Sequence, residues 1–207
     1  MVLEKLIDHY NDYYTKCNKT EKGQFVPSNL KHIDMALKMA VSGGFIDDTG
    51  YFLDAGCGDG RVITLSSGKY NLHSIGVEYD QLLAEKAEKH IAYLKKNHIL
   101  NGVPARIIQG DFTEDSTYFD AGIDFKEIKT FFNYINNQEQ IAEKIAEKSP
   151  KGTAFLLHRY NSHPEDFSGL EFVKAFTLYD LCPHIEGWNY SVGNIPKIAQ
   201  LHIYKKI

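Results

Sequence analysis

Three glycines alternate in Asp54-Ala55-Gly56-Cys57-Gly58-Asp59-Gly60-Arg61, directly after the apolar run Tyr51 to Ala55 and directly before a helical pattern opening at Arg61. Glycines at such a turn admit positive φ and let a ligand approach the backbone, while the helix N-terminus presents unpaired N–H groups. A strand, a tight turn and a helix in this order must be completed by further elements that bury their apolar faces.

Those elements follow at regular intervals. Apolar runs at Tyr51 to Ala55, His73 to Val77, Ala105 to Gln109, Ile128 to Phe132 and Thr153 to His158 alternate with helical candidates from Arg61, from Gln81 through Lys96 and from Gln138 through Lys148. Alternation of this kind predicts a parallel sheet with helices on both faces. Phe172 to Thr177 and Ile198 to Tyr204 read as two closing strands, a terminal antiparallel hairpin at one sheet edge. Ahead of the sheet, Leu3, Leu6, Ile7, Tyr10 and Tyr14 lie at helical spacing over the first ~20 residues. Ser28 then reads as the N-cap of a second helix with the stripe Leu30, Ile33, Leu37, Ala40 and Val41, stopped by Gly43-Gly44. The expected organisation is an N-terminal helical segment, 1–45, packed on a main domain, 46–207.

The bulk numbers agree with one ordinary globular unit: 207 residues, 43% hydrophobic and 24% charged. No apolar run reaches the roughly 18 residues that span a bilayer, and the N-terminus lacks a leader pattern, so a cytoplasmic location is expected. Cys17, Cys57 and Cys182 form no CxxC and read as reduced thiols. His158, His163, Cys182 and His184 fit no ligand spacing, so no metal is expected. A net charge of −4 lacks the basic excess of a chain that grips extended nucleic acid.

A lone glycine turn is weak evidence for a ligand; its context is stronger. The second run ends in Gly76-Val77-Glu78-Tyr79-Asp80, which puts Glu78 about 20 residues past the glycines, where a carboxylate can accept bonds from both ribose hydroxyls. The third ends in Gly110-Asp111-Phe112, a carboxylate for an adenine amino group and a ring to lie against the base. NAD uses the same geometry, but the third glycine of its GxGxxG fingerprint would fall at Arg61. No GK[ST] follows for a P-loop. Asp54 supplies negative charge suited to a sulfonium or its amino group rather than to a pyrophosphate.

These three segments resemble, in order and spacing, the cofactor motifs of class I S-adenosylmethionine-dependent methyltransferases, over residues 50 to 160. The resemblance implies a Rossmann-like α/β fold: a seven-stranded, mostly parallel sheet with helices on both faces and a C-terminal antiparallel hairpin. It implies an enzyme that uses S-adenosyl-L-methionine. Asp54, Gly56, Gly58 and Gly60 would bind it from the turn, and Glu78, Tyr79, Asp111 and Phe112 from the next two strand ends.

A narrower resemblance concerns the methyl acceptor. Phe25-Val26-Pro27-Ser28 followed by a helix and the glycine motif is similar to small prokaryotic non-SET protein-lysine methyltransferases, which implies that Phe25 and Pro27 lie against the cofactor. Phe131-Phe132-Asn133-Tyr134-Ile135-Asn136-Asn137 resembles the fourth-strand region of related histone lysine methyltransferases, although their acceptor motif is not matched residue for residue. Asn133 and Tyr134, at the end of the fourth strand, are the expected residues beside the transferred methyl. A small-molecule acceptor, or a regulator that binds the cofactor without transfer, are the alternatives. Nucleic-acid amino methylation loses ground because Asn-Pro-Pro-Tyr/Phe is missing. Asp59 reads either as a helix cap or as a cofactor contact, Tyr10, Tyr13 and Tyr14 as packing or a lid with packing preferred, and Trp188 as a packed loop anchor or a substrate wall. The oligomeric state is not encoded in any of these features.

Overall fold

The chain opens with helix Val2–Asp12 (α1), a small hairpin of Asn18–Thr20 (β1) and Gly23–Phe25 (β2), and helix Leu30–Ser42 (α2). The computed structural model describes residues 2–12, 18–20, 22–134, 136–160, 163–178, 191–192, 195–196 and 199–207. Tyr13, Tyr14, Cys17, Cys182, His184 and Trp188 lie outside them, as does Ile198 at the expected start of the last strand.

The opening segment departs from its sequence reading in three places. Among the described residues the first helix covers Val2–Asp12, and Asn18–Thr20, at the end of the ~20 residues expected as helix, is a strand of the β1–β2 hairpin. The cap of α2 is Asn29, whose side chain accepts the N–H groups of Lys31 at 2.9 Å and His32 at 3.4 Å, and Ser28 stands one residue too early. Val41, placed on the apolar stripe by spacing, is 43% exposed in the last turn. Gly43 ends the helix, its N–H bonded to the Met39 carbonyl.

From Tyr51 onward strands and helices alternate. Tyr51–Ala55 (β3) leads to Arg61–Tyr70 (α3), His73–Glu78 (β4) to Gln81–Lys96 (α4), and Ala105–Gln109 (β5) to the short helix Asp115–Asp120 (α5). After a 3-10 turn, Ile128–Tyr134 (β6) leads to Gln138–Lys148 (α6) and Ala154–Arg159 (β7). Leu170–Thr177 (β8), the two-residue strands Ser191–Val192 (β9) and Ile195–Pro196 (β10), and Gln200–Lys206 (β11) complete the chain. Seven strands form one sheet in the order β5-β4-β3-β6-β7-β11-β8. All are parallel except β11, which runs antiparallel to both β7 and β8 and so makes the terminal hairpin.

Period-two alternation divides the core between the two faces of this sheet. Phe52, Phe132, Leu156 and Ile203 point toward α1 to α4, with Leu6 and Tyr10 of α1, Ile33 and Leu37 of α2, and Ile63 and Leu65 of α3. Their neighbours Leu53, Phe131, Phe155, Leu157 and Tyr204 face Ile141 and Ile145 of α6 on the other side. Each such fully buried side chain contributes roughly 1.5–3 kcal/mol of transfer free energy. The N-terminal helices therefore share a core with the sheet. A polar contact adds to that docking, because His9 Nε2 lies 2.7 Å from His90 Nδ1 and the His9 ring stacks on Tyr93 at 4.8 Å.

No helix among the described residues is long and apolar enough to cross a membrane.

Candidate functional site

The turn after β3 is built on backbone bonds to β4. The N–H groups of Gly56 and Cys57 both donate to the Val77 carbonyl, at 2.9 and 3.0 Å, and that of Gly60 closes the turn on the Cys57 carbonyl. Gly56, Gly58 and Gly60 all have positive φ, of 83°, 54° and 81°. A Cβ at Gly56 would meet nothing within 4 Å, so the backbone there is open for close approach. At Gly58 the space is taken, since a Cβ would come within 2.5 Å of the Phe25 ring.

Opposite the turn lies a cavity of about 410 Å³, within the range of small-molecule sites. It sits at the carboxyl ends of β3, β4, β5 and β6, where open α/β sheets place their ligands. Asp54, Gly56, Gly58, Glu78, Tyr79, Asp111, Phe112 and Tyr134 line it, together with Phe25 from the N-terminal segment. Residues drawn from five separate stretches of sequence are thus brought to one wall.

Three expected residues are placed elsewhere. Gly60 is not on the wall: a Cβ there would come within 3.1 Å of Ala87 and 3.8 Å of Ile107. Pro27 is buried behind the wall, not on it. Asn133 is turned away because alternation along β6 directs Phe132 and Tyr134 to the cavity and Asn133 to the opposite side. Its Nδ2 donates to the Ala55 carbonyl at 2.8 Å, so it props the end of β3. Tyr134 stands on the wall, its hydroxyl 3.3 Å from that of Tyr160 and its ring 4.7 Å from the buried His158 ring.

The carboxylates differ in state. Glu78 Oε2 accepts the Gly58 N–H at 2.8 Å and Oε1 accepts the Asp80 N–H at 2.9 Å, leaving further lone pairs for a ligand. Burial raises its pKa against the lowering effect of those two donors. Burial also holds Asp54 well above the usual carboxylate range, with Glu78 and Asp59 adding to the effect. Asp111 lies lower than usual: burial would raise it, but Lys22 and Thr113 outweigh that. Cys57 is buried and its thiol is pushed up by that burial, which makes it unreactive.

Asp59 has neither of the two roles weighed from sequence as its main contact. Gly60 caps α3 without a side-chain bond, and the fully buried Asp59 carboxylate is held in a two-point pair by Arg61, at 2.9 and 2.6 Å. Arg61 Nη1 also donates to the Ser28 carbonyl at 3.0 Å, so one guanidinium ties the glycine turn to the Phe25–Ser28 segment. Burial alone would raise Asp59, but the Arg61 charge and its bonds hold it lower than usual. Sequence reasoning took Arg61 only as the first residue of a helix.

Lys22 is a further wall residue without a local sequence signal, and Asn136 and Asn137, given no role of their own in the segment after β6, line the wall too. Lys22 pairs with Asp111 and lies 4.3 Å over the Tyr79 ring. Among the described residues no group of three His, Cys, Asp or Glu side chains is placed to hold a metal ion.

No protein-family model matches the chain. It is 28% identical over 137 residues to a protein-lysine N-methyltransferase of Saccharolobus islandicus (strain REY15A), covering 66% of this chain and 76% of that protein. In structure it is similar to an RNA methyltransferase from Salinibacter ruber in complex with S-adenosyl-L-homocysteine, at TM-score 0.55 and 19% identity over 87% of this chain and 94% of the other. It is also similar to a variant of MtNAS in complex with S-adenosylmethionine, at TM-score 0.57 and 17% identity over 86% of this chain and 62% of that one. The B. subtilis tRNA methyltransferase TrmK aligns at TM-score 0.56 and 10% identity, over 86% and 66% of the two chains. With its three motifs in this order on this sheet, the chain has the Rossmann-like fold of the class I S-adenosylmethionine-dependent methyltransferases.

Proposed function

We propose that the chain is an S-adenosylmethionine-dependent methyltransferase that N-methylates lysine side chains of protein substrates. The observation that carries the cofactor assignment is the joining of Glu78 to the glycine turn at the head of the cavity, with the open backbone of Gly56 beside it. The residues present fit the group: Glu78 for the ribose, Asp111 and Phe112 for the base, and the buried Asp54 carboxylate for cationic parts of the ligand. S-adenosylmethionine supplies an activated methyl group on a sulfonium.

The protein's own task is positioning and exclusion of water, which can account for much of the acceleration of a displacement reaction. Phe25, Phe132 and Tyr134 give the cavity an aromatic side. Desolvation against these rings favours the neutral form of an entering amine, the form that carries a nucleophilic lone pair. Support for lysine as acceptor comes from the Saccharolobus islandicus relative, a protein-lysine methyltransferase by its name. It comes also from the Phe25 to Ser28 segment, packed against the glycine turn.

Incubation with methyl-labelled S-adenosylmethionine and cell extract, followed by separation into protein, nucleic-acid and small-molecule fractions, tests both levels. Label in the protein fraction, recovered as methyllysine on hydrolysis, is the expected result. Label confined to the small-molecule or nucleic-acid fraction would contradict the lysine assignment, and no incorporation in any fraction would contradict transfer itself.

A further inference from the structure

The β1–β2 hairpin crosses the cavity from one rim to the other. Its strands pair Asn18 with Phe25, Lys19 with Gln24 and Thr20 with Gly23, and Thr20, Lys22, Gly23, Gln24 and Phe25 all line the cavity. On the β5 side, Lys22 pairs with the Asp111 carboxylate and lies over the Tyr79 ring. On the β6 side, Asn136 Nδ2 donates to the Gln24 carbonyl at 2.7 Å and Asn137 Nδ2 to the Lys22 carbonyl at 3.4 Å. At its base, the Phe25 ring sits on Gly58, and Arg61 holds the Ser28 carbonyl.

These ties from the hairpin to the two rims are polar and lie outside the sheet ladders. The hairpin strands are three residues each, too short to stand alone as a stable unit. Contacts between the hairpin and the two rims therefore decide whether it lies across the cavity. We infer that Lys22 and Asn136 are positioning residues that clamp the hairpin over the bound cofactor from opposite rims and thereby set how long the cofactor stays. The inference rests on the reading that this cavity takes S-adenosylmethionine.

The two clamps differ in physics, and the difference makes them separable. Lys22 is half-exposed, so its attraction to Asp111 is screened by salt. The Asn136 bond is between neutral groups and has no comparable salt dependence. Release of labelled S-adenosylhomocysteine from the full chain, chased with unlabelled ligand at low and high salt, reads both. In the wild type, salt should speed release. Asn136→Ala should release several-fold faster and keep the salt dependence, as expected for loss of one neutral hydrogen bond. Lys22→Ala should release a few-fold faster and lose the salt dependence, and Lys22→Arg should restore both.

Association rates should change less than release rates in every variant. A merely structural role would lower the melting temperature without this split in salt response. Wild-type release rates in both alanine variants would overturn the clamp while leaving the cofactor reading intact. A wild-type protein that retains no S-adenosylhomocysteine would overturn both.

Discussion

The Glu78 carboxylate accepts the backbone N–H of Gly58 at 2.8 Å, across 20 residues of sequence. Glu78 therefore shapes the glycine turn as well as facing the ligand space. Glu78→Ala should leave the Gly58 and Asp80 N–H groups without their acceptor and cost cofactor affinity roughly 1.5–3 kcal/mol, the range of bonds to charged groups. Glu78→Gln keeps one acceptor oxygen and should lose less. Calorimetric affinity equal to wild type in a folded Glu78→Ala protein would remove Glu78 from the site.

At Gly58 two penalties coincide. The φ of 54° costs a residue with a Cβ about 1–2 kcal/mol, and the Phe25 ring occupies the position of that Cβ. Gly58→Val should abolish binding of S-adenosylhomocysteine. Gly58→Ala combined with Phe25→Ala should recover part of it, because the steric penalty is relieved while the backbone penalty remains. Full affinity in Gly58→Val, measured by calorimetry, would contradict the placement of the ligand against this turn.

Much of this site was legible because it is local. The ends of β3 and β5, the start of α3 and the whole of α4 follow from runs of apolar residues and their period, and the glycine turn from three alternating residues. The β1–β2 hairpin was not legible: its short strands carry no alternating pattern and are held by Asn136, 112 residues from Gln24. Arg61 looked like any helix-opening residue, since its partners Asp59 and the Ser28 carbonyl meet only after folding. The expectation for Asn133 failed at the level of direction, not position. The strand end was right, but the register of β6 turns its side chain to the Ala55 carbonyl.

That register separates two neighbours that sequence treated alike. Asn133→Ala should remove the buried donor to Ala55 and cost about 1–3 kcal/mol of stability, with weaker cofactor binding as the end of β3 loosens. Tyr134→Ala should lower turnover more than cofactor affinity, since its ring stands on the cavity wall. Denaturant titration and steady-state kinetics on both variants check this. A Tyr134→Ala protein with equal losses in binding and turnover would move Tyr134 to the cofactor side of the cavity.

Buried histidines give the fold an acid limit. Burial, as the largest cause, pushes His90 down to about 4 and, with His32 adding, His158 down to about 3. Both are neutral in the native state at neutral pH, whereas in the unfolded chain they take up protons near their ordinary value of about 6.5. The unfolded state thus binds more protons below that value, and stability falls as pH drops. The loss should begin near 6.5 and continue through about 4 for His90 and about 3 for His158. Each tenfold difference in proton affinity is about 1.4 kcal/mol. Denaturant midpoints measured down the pH scale should fall over this window, less steeply in His90→Gln. A flat profile in the wild type would show that burial does not keep protons from these rings in the native state.

The central claim is that the cavity at the ends of β3 to β6 is built for S-adenosylmethionine and not for a dinucleotide. Calorimetric titration of the full chain with S-adenosylhomocysteine, repeated with NAD under the same conditions, tests it most directly. Saturable binding of one S-adenosylhomocysteine per chain, with no heat from NAD, is the result predicted by the glycine turn, Glu78 and the missing third glycine at Arg61. No binding of S-adenosylhomocysteine, or tighter binding of NAD, would contradict it.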